Sequence, residues 1–205
     1  MKTEVLRTDH PVALTKAVDV LKHGGLVAFP TDTVYGLASL PFEAEIIDRL
    51  YVVKGRNNQK AIAILIGQVS DLRKVTRLMT PLAERLAECF WPGPMTLIVP
   101  SAACLPPNLS PTPTVGVRMP NHPVALALLR LTGPLAVTSA NLSGGENAKT
   151  AQEVLAQLNG KIHLVLDGGP THGGVPSTVV DCTADQPVIL RVGPISQEQL
   201  LEALG

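Results

Sequence analysis

Two pairs of polar side chains have the chemistry of an anion-binding site. Lys54 and Arg56 are separated by one glycine, so a point charge and a planar guanidinium could converge on one polyphosphate. Ser139 and Asn141 would project from the same side of an extended strand, and their hydroxyl and amide groups suit a phosphate or a ribose. The same spacing also fits two structural roles. Lys54 and Arg56 could be cations at a helix C-terminus, and Ser139 and Asn141 could belong to an ordinary strand-to-loop exit, so these alternatives stay open.

Two arginines stand inside apolar segments, Arg118 in VGVRMP and Arg191 in ILRVGP. A guanidinium is costly to bury without an anionic partner, so two of them predict an internal anion site. The alternative is that each arginine reaches the rim of the sheet and pairs with a local carboxylate.

Hydroxyl groups gather in two further stretches. PTDTVYGL, directly after the apolar segment LVAF, supplies the hydroxyls of Thr31 and Thr33, the carboxylate of Asp32 and the phenol of Tyr35, and Ser177 opens STVVD. Such groups could hold a small polar substrate, or they could form a turn and a helix cap. The sequence has no GxxxxGK[ST] loop, GxSxG elbow or HExxH motif, which argues against a P-loop, a serine nucleophile and this type of zinc site.

Helical and strand-like segments alternate along the chain and must position these groups. Apolar periodicity and capping residues predict helices at 12–22, 43–54, 80–91, 122–131, 150–158 and 196–204. Strands are predicted at 26–30, 61–66, 95–100, 114–120, 134–140, 162–167, 177–181 and 187–192, and a loop at 101–114. The pattern predicts one α/β domain over residues 1–205, with a mixed sheet and some antiparallel pairing among the late strands. Ligands in such folds bind where strands end.

Composition limits the classes of function. Lys plus Arg and Asp plus Glu number 17 each, so the net charge is zero, which argues against a broad basic surface for nucleic acid. Aromatic residues make up 3%, too few for base-stacking platforms. The sequence shows neither a signal-peptide pattern nor a membrane-length apolar run, so a cytoplasmic protein without membrane association is expected. Three scattered cysteines fit neither a disulfide framework nor a zinc site.

Seven stretches together resemble the YrdC-like threonylcarbamoyl-AMP synthases over residues 10–200. In chain order they are GGLVAFPTDTVYGLA, YVVKGR, WPGPMTLIV, VGVRMPNHPVALALL, PLAVTSANLSG, PSTVVD and ILRVGPI. The resemblance implies a YrdC-like fold, a twisted mixed sheet flanked by helices around a central, positively charged cavity, in the short single-domain form. The chain departs from the family pattern at Asn57, Leu65 and Val192.

The resemblance also implies an activity and a set of roles. The reaction would be a nucleotidyl transfer that makes threonylcarbamoyl-AMP and pyrophosphate from ATP, L-threonine and bicarbonate, with Mg²⁺ carried by the ATP phosphates. The residues implied at ATP are Lys54, Arg56, Ser139, Asn141 and Arg191, of which Lys54 and Arg56 would be catalytic. The residues implied at threonine are Thr31, Tyr35, Arg118 and Ser177. Partners would be the downstream transferase machinery that modifies tRNA, and tRNA itself.

A different class of function, an RNA-binding module in tRNA or ribosome maturation without catalysis, is the main alternative. The zero net charge and the scarcity of aromatic residues count against it. A hydrogenase-maturation carbamoyl-transfer domain would carry cysteine pairs, and a sugar-phosphate lyase would need clustered carboxylates for Mg²⁺. Neither feature is present in the sequence.

Overall fold

Ten strands form a single mixed sheet in the computed structural model, which describes residues 2–205. The strands are β1 Glu4–Arg7, β2 Val27–Phe29, β3 Gly36–Ser39, β4 Ala63–Leu65, β5 Met95–Pro100, β6 Thr114–Arg118, β7 Leu135–Ser139, β8 Leu164–Asp167, β9 Thr178–Asp181 and β10 Val188–Arg191. Their order across the sheet is β1-β8-β2-β3-β7-β4-β6-β5-β9-β10. The predicted class, a mixed sheet flanked by helices, is confirmed.

Parallel and antiparallel pairs alternate irregularly across this sheet. Strand β8 is parallel to both β1 and β2, and the pairs β4–β6 and β5–β9 are also parallel. The other neighbours run antiparallel, including β9 and β10, where antiparallel pairing of late strands was predicted.

Helices cover the two faces unequally. The helices are α1 Ala13–Lys22, α2 Ala44–Lys54, α3 Leu72–Val75, α4 Pro81–Phe90, α5 Pro123–Thr132, α6 Ala151–Leu158 and α7 Gln197–Leu204. Helices α1 and α5 pack on each other and on one face of the sheet, while α2, α4, α6 and α7 contribute to the core on the opposite face. None of the helices within residues 2–205 is both long and apolar enough to cross a membrane.

Alternate residues of a strand enter two different cores, because successive side chains point to opposite faces. Val27 and Phe29 of β2 join the cluster beneath α1 and α5, whereas Ala28 between them joins the larger cluster on the other face. Burial on both faces explains why the central strands are apolar throughout.

Helices α1 and α5 cover only part of the sheet face on which they pack, and the uncovered part of this face forms the floor of a hollow. On β5, Leu97 and Val99 enter the larger core, while Thr96 and Ile98 line the hollow. The same alternation places Gly116 and Arg118 of β6 on the open side.

Two strands and a short helix, β1, β3 and α3, were not indicated by the sequence pattern. Strand β3 begins with the last two residues of PTDTVYGL, for which a turn and helix cap was one of two interpretations, and its four small or apolar residues, GLAS, are all buried. It pairs with β2 and β7 and so joins the two halves of the sheet. The predicted loop at 101–114 is largely irregular, with one 3₁₀ turn at Pro107–Leu109.

We predict that Thr80→Ala lowers the free energy of unfolding by about 1 kcal/mol or slightly more. The Thr80 hydroxyl caps α4 by accepting from the Ala83 N–H at 3.1 Å, and it also donates to the Cys182 carbonyl at 2.8 Å. Urea denaturation measures the change. The control is Thr15→Ala on the exposed side of α1, and equal stability of the two variants would contradict the capping role.

Candidate active site

A hollow of about 390 Å³ opens on the uncovered part of the sheet, a size typical of small-molecule sites. Its floor is apolar and includes Ala63, Leu65, Ile98, Gly116 and Val137. Seven of the nine predicted site residues line it, namely Thr31, Tyr35, Arg56, Arg118, Ser139, Ser177 and Arg191. The structure therefore brings together side chains from widely separated parts of the sequence.

Arg118 is almost fully buried and is held by three acceptors. Its Nε donates to the Gly93 carbonyl at 3.0 Å, Nη1 donates to Thr33 Oγ1 at 3.0 Å, and Nη2 forms an ion pair with Asp32. A guanidinium has five N–H groups, so two remain free. Burial lowers the pKa of Arg118, and the Asp32 carboxylate acts in the opposite direction. Arg118 thus both pairs with a local carboxylate and faces the hollow.

Arg56 and Arg191 have no ion-pair partner within residues 2–205. Arg56 donates to the carbonyls of Lys60 and Ala61 at 3.1 and 2.8 Å, and Arg191 donates to the Ser177 carbonyl and hydroxyl at 3.0 and 3.1 Å. These neutral oxygens orient the guanidiniums but leave their charges uncompensated. Burial lowers both pKa values, and repulsion from Arg118 and Arg56 lowers that of Arg191 further.

Within residues 2–205, no aspartate or glutamate lines the hollow. The local charge is therefore positive although the whole chain is neutral, and an anionic ligand would complete it. Among the described residues there is also no group of three or more His, Cys, Asp or Glu side chains that could hold a metal ion.

Lys54 and Asn141 lie behind the hollow and do not line it. The Lys54 ammonium is buried and donates to the backbone carbonyls of Ser139 and Asn141. The Lys54 carbonyl in turn accepts from the Ser143 N–H at 2.8 Å. Asn141 donates from Nδ2 to the carbonyls of Leu142 and Gly145 at 2.9 and 2.8 Å. Both side chains therefore hold the end of β7 at Ser139 and the loop that follows it.

Gly55 explains why Lys54 and Arg56 diverge although they are two residues apart. Helix α2 ends at Lys54, and Gly55 takes a left-handed conformation with φ of 56°. This turn separates the two side chains, so that Lys54 remains in the core and Arg56 reaches the hollow. Burial, with a smaller effect of Arg56, lowers the pKa of Lys54 from 10.5 to about 7.

The Thr31 hydroxyl lines the hollow, but its hydrogen bonds are all made within its own loop. It donates to the Val34 carbonyl at 2.7 Å and accepts from the Thr33 N–H at 3.1 Å. The Thr31 hydroxyl proton is used in the bond to Val34, so in the 3.0 Å contact with Thr33 Oγ1 the Thr33 hydroxyl is the donor. This bond occupies the second lone pair of Thr31 Oγ1. The chain of bonds thus runs from Arg118 through Thr33 to Thr31. Thr31 therefore supports Arg118, and only its methyl group remains for a ligand.

Tyr35 lines the hollow, but its side chain belongs to the larger core and its phenol is hydrogen-bonded to the segment after β8. The hydroxyl donates to the Gly169 carbonyl at 2.8 Å and accepts from the Gly168 N–H at 3.2 Å. Burial is the main cause that raises the pKa of Tyr35 to about 12. The phenol therefore stays protonated and ties β3 to the segment after β8.

The family resemblance assigned no role to Asp32, Thr33, Thr96 or Asn147, although the last three line the hollow. The residues of PTDTVYGL had indicated Asp32 and Thr33 as candidates for holding a small polar substrate, and the structure shows that both bind Arg118. For Thr96 the signal is a lone hydroxyl in the apolar strand MTLIVP, on the face opposite Leu97 and Val99.

The fold and the hollow define an α/β protein with an electropositive cavity of small-molecule size. The model of the Sua5_yciO_yrdC family, described as "Telomere recombination", matches residues 19–193. The chain therefore belongs to the Sua5/YciO/YrdC family.

Individual relatives support this membership. The chain is 41% identical to threonylcarbamoyl-AMP synthase of Bacillus subtilis over 99% of its own length and 59% of that protein. It is 39% identical to the putative threonylcarbamoyl-AMP synthase of Mycobacterium tuberculosis, covering 94% of this chain and 89% of that one. The structure of P. abyssi Sua5 complexed with L-threonine superimposes with a TM-score of 0.93 at 36% identity, over 100% of this chain and 60% of that chain. The chain thus spans about three fifths of its longer relatives.

We predict that Lys54 makes the free energy of unfolding depend on pH. Between about pH 7 and 10.5 the unfolded chain binds a proton at Lys54 that the folded chain releases, so stability rises with pH in this range. The difference in stability between wild type and Lys54→Met should therefore shift in favour of wild type as pH rises, measured by urea denaturation. Lys22→Met, exposed on α1, controls for loss of a lysine. A difference that stays constant from pH 7 to 10.5 would contradict the lowered pKa of Lys54.

Proposed function

We propose that this chain is a threonylcarbamoyl-AMP synthase, which forms threonylcarbamoyl-AMP and pyrophosphate from ATP, L-threonine and bicarbonate for the modification of tRNA. The observation that carries the proposal is the convergence of Arg56, Arg118 and Arg191 on a hollow that no carboxylate lines. Relatives named for this product support the chemistry, whereas the RNA-binding alternative gains no support from them.

The two uncompensated guanidiniums suit the ATP phosphates. Arg56 and Arg191 could each exchange weak neutral acceptors for phosphate oxygens, and Ser139 lines the same hollow. Mg²⁺ would enter as part of the MgATP substrate, since no side chain of the described hollow offers it a carboxylate. Lys54 and Asn141 would contribute by fixing the end of β7 at Ser139 and the loop that follows it.

Arg118 suits the carboxylate of threonine. Its two free N–H groups match the two oxygens of a carboxylate, and Asp32 and Thr33 hold its orientation. Ser177 binds Arg191 directly, and Arg118 is near enough to Arg191 for its charge to lower the pKa of Arg191. The two substrates would therefore meet between Arg118 and Arg191, beside Ser177.

Positioning and charge stabilisation would account for the reaction. The threonine amine adds to the carbon of bicarbonate, and loss of water gives the carbamate. A carbamate oxygen then attacks the α-phosphorus of ATP, the bond to the β-phosphate bridging oxygen breaks, and pyrophosphate leaves with that electron pair. Arg56 and Arg191 would stabilise the negative charge that grows on the phosphate oxygens, and a protein nucleophile is not required.

We predict that the purified protein releases pyrophosphate from ATP only when threonine and bicarbonate are both present. Each substrate is needed to form the attacking carbamate, so omission of either should reduce release to the background. An enzyme-coupled pyrophosphate assay measures this, with alanine in place of threonine as the matched amino acid. Release that is indifferent to threonine would exclude the proposed reaction.

We predict that Arg56→Ala and Arg191→Ala each reduce kcat by about 100-fold, because each guanidinium would contact a phosphate in the transition state. The matched control is Arg73→Ala, an exposed arginine outside the hollow, which should retain wild-type kcat. Steady-state pyrophosphate release at saturating substrates measures the effect. Wild-type kcat in either hollow variant would remove that arginine from the site.

A further inference from the structure

Thr96 is a polar residue in an otherwise apolar strand, and the roles assigned above leave it without a function. It is buried, with 5% of its surface exposed, and it lines the hollow. Its neighbours Met95 and Leu97 point to the other face and enter the core. A buried hydroxyl at this position therefore lowers the stability of the fold unless it makes a hydrogen bond.

Thr96 belongs to one hydrogen-bonded unit with Ser177 and Arg191. Its Oγ1 lies 2.8 Å from Ser177 Oγ. Ser177 Oγ accepts from Arg191 Nη2 at 3.1 Å, and the Ser177 carbonyl accepts from Arg191 Nε at 3.0 Å. The unit joins β5, the residue before β9, and β10, and all three of its side chains line the hollow.

The surrounding backbone holds this unit in place. Thr178, next to Ser177, donates its N–H to the Pro94 carbonyl at 2.9 Å. Its hydroxyl donates to the Ile195 carbonyl and accepts from the Ile195 N–H, at 2.9 and 3.0 Å. A Cβ at Gly116 would lie 3.0 Å from the Thr96 methyl, so the absence of a side chain there makes room for Thr96.

Counting protons shows what the pair offers to a ligand. The two hydroxyls carry two protons, and their mutual hydrogen bond uses one, whichever oxygen donates. Neither hydroxyl donates to any other group in the described part of the chain, so one O–H donor remains at the hollow. Thr31 differs, because its proton and both lone pairs are already used.

We propose that Thr96 is a further substrate-binding residue, and that the Thr96–Ser177 pair donates its remaining hydrogen bond to a negatively charged oxygen held against Arg191. The identity of that oxygen rests on the proposed function. Arg191 lacks the carboxylate partner that Arg118 has, so the more highly charged group, the phosphate, belongs at Arg191. The oxygen is then a non-bridging oxygen of the α-phosphate. A fixed donor there stabilises the charge that develops during attack.

The test compares two substitutions at one position. Thr96→Val keeps the shape and removes the donor, so kcat for threonine-dependent pyrophosphate release should fall by about 100-fold while the KM for threonine changes little. Thr96→Ser restores the hydroxyl and should recover most of this loss. Thr76→Val is the matched control, because Thr76 is a buried threonine outside the hollow whose hydroxyl bonds the Leu78 and Pro100 carbonyls. It should lose stability and keep its kcat.

A binding measurement separates this inference from the proposed function. By isothermal titration, Thr96→Val should weaken AMP binding by about 10-fold and leave adenosine binding unchanged, because only AMP carries the α-phosphate. If wild type fails to release pyrophosphate in response to threonine, the proposed function is wrong. The AMP titration then still tests whether Thr96 contributes to binding of the phosphate. Wild-type AMP affinity in Thr96→Val, or a Thr96→Ser variant as defective as Thr96→Val, would overturn the inference. If Thr96→Val does not fold, Thr96→Ala is measured with the same criteria.

Discussion

Buried positive charge with too few carboxylates is the constraint on which the site depends. Arg56, Arg118 and Arg191 surround the hollow, Lys54 lies just behind it, and Asp32 alone forms an ion pair with any of them among the described residues. Removing such charges from water is costly, and carbonyl and hydroxyl oxygens offset only part of the cost. The fold therefore carries an unfavourable energy that an anionic ligand would relieve, and ligand binding should stabilise the protein accordingly.

The architecture makes this arrangement tolerable by separating it from the apolar cores. Strand alternation sends Leu97 and Val99 into one core while Thr96 faces the hollow, and α1 and α5 cover only the neighbouring part of that face. Backbone carbonyls at strand ends and turns then orient the cations, as with Arg56 at Lys60 and Ala61. The geometry of the site thus follows from where strands end and helices stop.

Much of this was predictable from the sequence. All the predicted strands and helices are present, because their apolar periodicity is strong, and the motif arginines converge as expected. Strand β3 was missed because its four residues, GLAS, are too short for a strand pattern and directly follow a turn-like motif. The segment is recognisable as a strand only through its pairing with β2 and β7. Motif spacing also could not show that the left-handed turn at Gly55 separates the buried Lys54 side chain from Arg56. Nor could it show that the Thr31 hydroxyl makes all its hydrogen bonds within its own loop. Such properties depend on partners distant in the chain.

The central claim is that the uncompensated guanidiniums hold the phosphates of ATP beside the bound amino acid. A crystal structure with L-threonine and an ATP analogue that cannot be cleaved between the α- and β-phosphates tests it most directly. The account predicts phosphate oxygens within hydrogen-bonding distance of Arg56 and Arg191, and the threonine carboxylate on Arg118. Phosphates that lie outside the hollow, with both arginines still bound to their backbone carbonyls, would contradict it.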